Sequence, residues 1–434
     1  MEKDIINVDS CVIGGSVAGL WTALELARKA QKVLVVDKTY IGHEKSNIDL
    51  CLNYTCAEKM HKVALRSQKK WFNIKQQNNP DLLTELRGSL SFALEHEEEQ
   101  VLQNILAEQQ KLDKDLGSFI LNDKQALKTL MKTKELGEQV KSALVSVEDL
   151  SLDNQNCLDY LRKELIKNGV KFWGSDEVID FELDDRTITG LITKESVIKA
   201  DNIILAGGAK SKILLDRLTL KMPLRPARAH IIEYTTKVEM PTQIIHYATK
   251  TGDYICKPML NGRNHLIYTG LDDQMQATWS RQINEQTVSS SMLEVIRILP
   301  DLEYSDVQDV QAVQLAVTPD RVPYFGKTKH FKNLFLNIGL HANNYLLAPY
   351  LAEELAKQID KGEKNQELVF MNPDRFMDDK YKVNYKELAE STETLESLAS
   401  GYEKSEPKPA EENSEVNETT EEQIEETPAE ENKE

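Results

Sequence analysis

The chain has 434 residues, 40% hydrophobic and 29% charged, which is ordinary globular composition and enough for two or three folding units or one large α/β enzyme. Its net charge of −18 argues against a nucleic-acid partner, which wants a basic face. No apolar run approaches the length of about 18 residues that a membrane span needs.

Met1-Glu2-Lys3-Asp4 leads straight into a strand-like run, so no signal peptide is expected. Val8–Ile13 reads as a short buried strand, and Val17–Ala30 as a helix with Val17, Leu20, Leu24 and Ala27 on one face. Val33–Asp37 is a continuous apolar strand of the kind a parallel sheet buries on both faces. Residues 59–135 read as mostly helical, most clearly Glu97–Leu112, with Val101, Leu102, Ile105, Leu106 and Leu112 as its apolar side. Leu158–Asn168 is a helix ended by Gly169. Strand candidates follow at Val170–Trp173, Val178–Leu183, Thr187–Thr193 and Ile203–Ala206. Short strands alternate from 228 to 270 around turns at Thr251-Gly252-Asp253 and Asn261-Gly262. Glu285–Leu299 is a helix stopped by Pro300, Leu334–Ile338 a strand, and Tyr345–Asp360 a closing helix before Gly362. The globular part is expected to end near residue 375–385. From Glu403 to Glu434 there are 13 acidic and 3 basic residues and no aromatic, so 385–434 reads as a disordered acidic tail. Most such tails are solubilising, and a protein partner for it is the minority reading. The five cysteines (Cys11, Cys51, Cys56, Cys157, Cys256) form no CxxC pair and suit a reduced, cytoplasmic setting. No metal site is expected.

The first chemical signal is the turn Gly14-Gly15-Ser16-Val17-Ala18-Gly19 between the first strand and helix. A dinucleotide-binding turn wants GxGxxG: one glycine for the turn, one for backbone approach to the pyrophosphate, one for helix packing. Gly14 and Gly19 hold the outer positions and Ser16 stands at the middle one, small and able to bond a phosphate oxygen. The helix N-terminus supplies N–H groups to the pyrophosphate. Asp37, followed by Lys38, lies 23 residues after Gly14, where a carboxylate accepts from ribose hydroxyls. The alternative is a glycine-rich packing turn without a ligand. A second small-residue turn, Ala206-Gly207-Gly208, follows a buried strand and presses against the same cofactor, as two-lobed flavoproteins require.

Further blocks carry a resemblance. Leu86-Arg87-Gly88-Ser89-Leu90-Ser91-Phe92-Ala93 precedes a helix, Gly169-Val170 precedes Val178, and Met222–His230 contains Arg225-Pro226-Ala227-Arg228. Val317-Thr318-Pro319-Asp320-Arg321-Val322-Pro323-Tyr324-Phe325-Gly326 is followed by Asn333–Gly339 and by Leu346-Leu347-Ala348-Pro349. In this order, over about residues 8–365, they resemble the FAD-dependent D-amino-acid oxidase, glycine oxidase and sarcosine oxidase family. The resemblance implies an α/β fold: a Rossmann-like FAD-binding domain (1–80, 145–222, 305–375) interleaved with a smaller α+β antiparallel-sheet substrate domain (81–144, 223–304). It also implies FAD contacts at Gly14 to Gly19, Asp37, Lys38, Ser46, Val178, Ala206, Gly207, Gly208, Gly339, Asn343, Asn344 and Tyr345. The implied reaction moves a hydride from a carbon bearing an amine to flavin N5, with oxygen as a candidate acceptor.

The departures gather at the substrate side. The family's clamping arginine before "TPD" is Leu315 here, the second arginine of its "GHxRNG" turn is Ala342, and Asn344 stands where a glycine usually sits. Gly42–Asn47 is bulkier than the family's small-residue turn, and no cysteine stands where sarcosine oxidases attach flavin, so the FAD is expected to be non-covalent. The expected substrate is therefore a small amine, one without a free carboxylate or attached to something larger. Tyr254 is the leading substrate contact, with Lys257, Arg228 or His341 as replacement charges; each is otherwise a core, rim or solvated side chain. Two alternatives remain: a 2-hydroxy acid or polyol phosphate dehydrogenase of the same fold, and a catalytically degenerate flavoprotein or interaction scaffold.

Overall fold

The computed structural model describes residues 4–39, 50–52, 58–78, 88–249, 252–258, 264–269 and 278–377. Ser46 with its turn, Leu86-Arg87, the Asn261-Gly262 turn and the acidic tail lie outside them. The first half of the chain carries strands β1 (Asp4–Ile13), β2 (Val33–Asp37), β3 (Leu50–Cys51), β4 (Ser89–Ala93), β5 (Phe119–Leu121), β6 (Ser142–Ser146), β7 (Leu150–Ser151), β8 (Lys171–Gly174), β9 (Val178–Asp184), β10 (Thr187–Thr193) and β11 (Ser196–Leu205). The second half adds β12 (Arg225–Thr235), β13 (Ile244–Ala248), β14 (Asp253–Lys257), β15 (Asn264–Thr269), β16 (Asp306–Val317), β17 (Tyr324–Lys327) and β18 (Leu334–Ile338). The helices are α1 (Val17–Ala27), α2 (His61–Asn78), α3 (His96–Leu112), α4 (Lys124–Met131), α5 (Asn154–Lys167), α6 (Ser211–Arg217), α7 (Glu285–Ile296) and α8 (Asn344–Lys361).

The first sheet runs β17-β18-β11-β1-β2-β8, with the β9–β10 hairpin attached through β11. Its central strands are parallel and buried on both faces. Val12, Val33 and Val35 pack on the side of α1, α2, α5 and α8, whereas Cys11, Ile13, Leu34 and Val36 pack on the side of α6 and the β9–β10 hairpin. This double burial is why these strands read as unbroken apolar runs. All eleven residues of α1 are buried. Its one acid, Glu25, is paired with Arg28 at 2.9 Å, as a buried charge requires. Asp153 caps α5 by accepting from Asn156 N at 2.8 Å. Gly362 ends α8 in the left-handed conformation at φ +70°.

The second sheet runs β16-β12-β15-β14-β13-β4-β6-β5 and is antiparallel except between β13 and β4. One face packs beneath α7 around Tyr234, Tyr247, Cys256 and Ile267; the opposite face carries Ala229, Ile231, Ile255, Tyr268 and Val313.

Within the mostly helical stretch 59–135 lie two strands, β4, at the block that the family resemblance likens to a strand, and β5. Ser89–Ala93 is buried along its whole length and paired on both sides, by β6 and β13. Pairing partners far along the chain override local helical spacing here. In α3 the buried residues are Leu102 and Gln109, while Val101 and Leu112 are 53% and 42% exposed. The helix covers only a corner of the second sheet, so its seam is narrower than the apolar stripe suggests. β16 goes unforeseen because its Asp-Val-Gln-Asp-Val-Gln alternation is that of an edge strand with one neighbour, β12.

Candidate active site

Strands β1, β11 and β18 are parallel neighbours, so the loops after Ile13, Leu205 and Ile338 open on one edge, where such sheets take ligands. Gly14 leaves β1 at φ +121°, and a Cβ there would stand 2.5 Å from the Ala206 carbonyl oxygen. Gly19 is tighter, since its Cβ would lie 2.0 Å from the Gly14 carbonyl oxygen. Close approach of α1 to two strand ends therefore demands both glycines. Ser16 is the N-cap of α1 but makes no side-chain cap bond, and the first turn holds no acid. The N–H groups around Val17 and Ala18 are thus left for an anion.

Asp37 closes β2. Its Oδ2 accepts from Gly15 N at 2.6 Å, and its Oδ1 from Thr39 N at 2.8 Å and Thr39 Oγ1 at 2.7 Å. Lys38 faces Glu177 at 4.0 Å. Across the edge, Ala206 N donates to Ile13 O at 2.8 Å, and Gly208 takes φ +59°. The Ser211 hydroxyl is buried without a hydrogen-bond partner among the described residues, 3.3 Å from where a Gly207 Cβ would stand. The Val178 side chain belongs to the first-sheet core, which leaves only its backbone for a ligand.

The third loop begins at Gly339, φ +76°, where a Cβ would lie 2.6 Å from Thr318 Cγ2. His341 follows in the left-handed region at φ 55° and is buried. Its Nε2 accepts from Thr318 N at 3.3 Å and lies 3.0 Å from Thr318 Oγ1. Burial above all, then Arg321, with Arg225 and Arg375 adding and Asp320 opposing, pushes its imidazole down to about 3. His341 is therefore neutral and is no replacement charge. Asn343 is buried and Asn344 opens α8. Tyr345 sends its side chain into the first-sheet core, where the hydroxyl pairs with Asn154. The Thr318–Val322 turn is held from behind: Arg375 donates to both Asp320 carboxylate oxygens, at 3.0 and 2.9 Å, and stacks 4.4 Å over Tyr324.

Side-chain alternation sorts the substrate candidates. Leu315 and Ala342 pack with Ala229, Ile231, Ile255 and Tyr268 on one face of the second sheet, the face that the family resemblance implies for substrate. Tyr254 pairs with Tyr247, rings 6.5 Å apart, on the α7 face. It is turned away from the substrate face, because a strand's successive residues point to opposite sides. Arg228 alternates with Ala227 and Ala229 in the same way, and its Nη1 donates to Gln282 O at 2.8 Å. Lys257 is on the substrate face but 1% exposed, with Nζ donating to Leu152 O at 3.1 Å. Arg225, which nothing in its local sequence singles out, is placed by alternation on the substrate face beside Ala227. The signal for it is its even spacing, two and four residues, from Ala227 and Ala229 once β12 is known to be a strand. Among the described residues there is no metal-type ligand cluster.

A family model described as FAD dependent oxidoreductase matches residues 9–358. The chain belongs to this family.

Its relatives within the family include a glycine oxidase of Pseudomonas putida, 24% identical over 80% of this chain and 92% of the relative. A D-amino acid dehydrogenase of Helicobacter pylori is 23% identical over 86% and 99%. Among solved structures, a glycine oxidase from Bacillus cereus covers 83% of this chain and 97% of its own at TM-score 0.72 and 20% identity. An L-proline dehydrogenase from P. horikoshii covers 86% and 98% at TM-score 0.75 and 19% identity. This family's cofactor is FAD, and the strand-end edge fits it. Gly14, Gly19 and Gly339 leave no room for a Cβ, the first turn of α1 carries no competing acid, and Asp37 ends the second strand.

Proposed function

We propose that the protein is an FAD-dependent oxidase or dehydrogenase that takes a hydride from the amine-bearing carbon of a small amine or amino-acid-like substrate, leaving an imine that water hydrolyses. The observation that carries this reading is the apolar sheet face of Leu315, Ala229, Val313 and Tyr268 meeting Ala342, in the turn after Gly339 at the FAD edge. FAD, when bound, supplies the two-electron acceptor. The α1 N-terminus and the Gly14 turn would hold its pyrophosphate, Asp37 its ribose hydroxyls, and Gly207, Gly208 and Gly339 would admit its close approach. The apolar face keeps water from the reacting carbon. The names of the relatives, glycine oxidase and D-amino acid dehydrogenase, support a C–N over a C–O bond. Arg228, one of the two cations expected to serve a hydroxy-acid or polyol phosphate substrate, lies on the opposite face, and the choice of an amine rests on the relatives' names. Against a flavin-free scaffold stands the α1 N-terminus, whose N-cap side chain makes no cap bond and whose first turn holds no acid.

Attachment is non-covalent in this reading. Cys11 and Cys256 are buried, and burial pushes both thiols up to about 12, so neither offers a thiolate to the flavin. The buried Cys11 and Cys256 form no disulfide, which supports a reducing, cytoplasmic setting. Oxygen is the acceptor to test first, and the acidic tail serves solubility or a protein partner. The test is the visible spectrum of the purified protein before and after FAD loading, then anaerobic addition of amines. Bleaching of a flavin that acid precipitation releases into the supernatant is expected. A colourless protein that cannot be loaded refutes the reading.

A further inference from the structure

We propose that Arg225 is the anion-recognising residue of the substrate site, so that the substrate carries a carboxylate or another anionic group beside its amine. This rests on the function proposed above and deepens it. The expectation of a substrate without a carboxylate came from positions 315 and 342 alone. In the register of β12 and β16, Arg225 stands opposite Val317 and Ala227 opposite Leu315. Arg225, Ala227 and Ala229 alternate onto one side of β12, and Ala229 belongs to the apolar cluster that Leu315 and Ala342 line. Arg225 and Leu315 are thus diagonal neighbours, about 7–8 Å apart, within reach of a long side chain.

The other cations around this face are occupied. Arg375 is forked onto Asp320, Lys257 donates to Leu152 O, Arg321 has a partner, and Arg228 points to the far side. Arg225 is half-buried, and among the described residues its guanidinium has no hydrogen bond or ion pair. Its charge reaches the buried ring of His341, next to Ala342. A half-buried guanidinium is ordinarily paired. Here it stands at the substrate face with five donors in a fork that matches a carboxylate. The family's arginine at 315 has, in effect, moved one strand across and one residue pair along.

The test uses the FAD-loaded full chain and a ligand pair that cannot be oxidised, benzoate and benzamide, read by their perturbation of the flavin's visible band. Benzoate is expected to bind more tightly than benzamide. R225Q should weaken benzoate roughly 10- to 100-fold and leave benzamide unchanged, the loss expected for a charge-assisted pair. R225K, which keeps the charge without the fork, should fall between. L315R in the R225Q background should restore benzoate binding, which a merely structural role for Arg225 would not allow. For any acidic amine that bleaches the flavin, R225Q should raise KM by the same factor with kcat within a few-fold. Equal weakening of both ligands, or benzoate binding that survives R225Q, overturns the proposal. If no amine bleaches the flavin, the C–N reading fails while the benzoate result still judges Arg225.

Discussion

Gly19→Ala separates two opposed effects by sign. Gly19 is inside α1, where alanine is favoured over glycine by about 1 kcal/mol, so propensity alone predicts a more stable protein. The structure predicts the reverse. The new Cβ would stand 2.0 Å from the Gly14 carbonyl oxygen, 3.1 Å from its carbon and 3.5 Å from Ala206 Cβ. Ordinary carbon–oxygen contact needs more than an ångström of retreat, and the obstacle is backbone, which cannot rotate away. With all of α1 buried, the helix has no room to slide back. The Gly14–Ser16 turn must yield, and that turn is the proposed pyrophosphate cradle. Overpacking of this kind costs about 1–3 kcal/mol. Spent on the cradle, it lowers FAD affinity by roughly 10- to 100-fold at 1.4 kcal/mol per decade. The assay is a fluorescence-quench titration of apoprotein with FAD, beside urea melts of the same preparations. Gly169→Ala is the control: φ is +73° with nothing within 4 Å of the new Cβ, so it should lose about 1 kcal/mol of stability and no FAD affinity. A Gly19→Ala protein that binds FAD within two-fold of the parent refutes the packing argument.

Two further predictions concern stability. Burial pushes His246 and His341 down to about 3, so between pH 6.5 and 3 the unfolded chain binds protons there that the folded chain refuses. Stability from these groups is full above pH 6.5 and is lost as pH falls, by about 1.4 kcal/mol per pH unit for each. Urea melts of FAD-loaded protein between pH 7 and 5 should show the slope, and His246→Gln should flatten it by one group's share; an unchanged slope refutes the assignment. Asp149, 1% exposed, accepts from Gln68 Nε2 at 2.7 Å and from Ser89 Oγ at 2.6 Å, joining α2 to the second sheet. Asp149→Ala removes the acceptor of two buried donors at about 1–3 kcal/mol each, so the melting temperature should fall by several degrees, and by less in Asp149→Asn; equal effects of the two variants refute the account.

The chain itself determined the FAD half of this protein. Val33–Asp37, Leu334–Ile338 and the Gly14–Gly19 turn are local patterns: buried parallel strands show as apolar runs, and a backbone that must approach a phosphate shows as glycine. The family blocks followed in order for the same reason. The substrate half was not legible, because what decides it is which face of a strand a side chain occupies. Tyr254 and Arg228 have the right chemistry, and the register of β12, β13 and β14 turns both away. His341 looks like a charge until its burial beside Thr318 makes it neutral. Arg225 looks like any polar residue before a proline until β16, a strand some 90 residues later in the chain, pairs with it and fixes its side of the sheet. A period-two alternation has no absolute phase until a distant partner sets it, and that phase belongs to the tertiary structure alone.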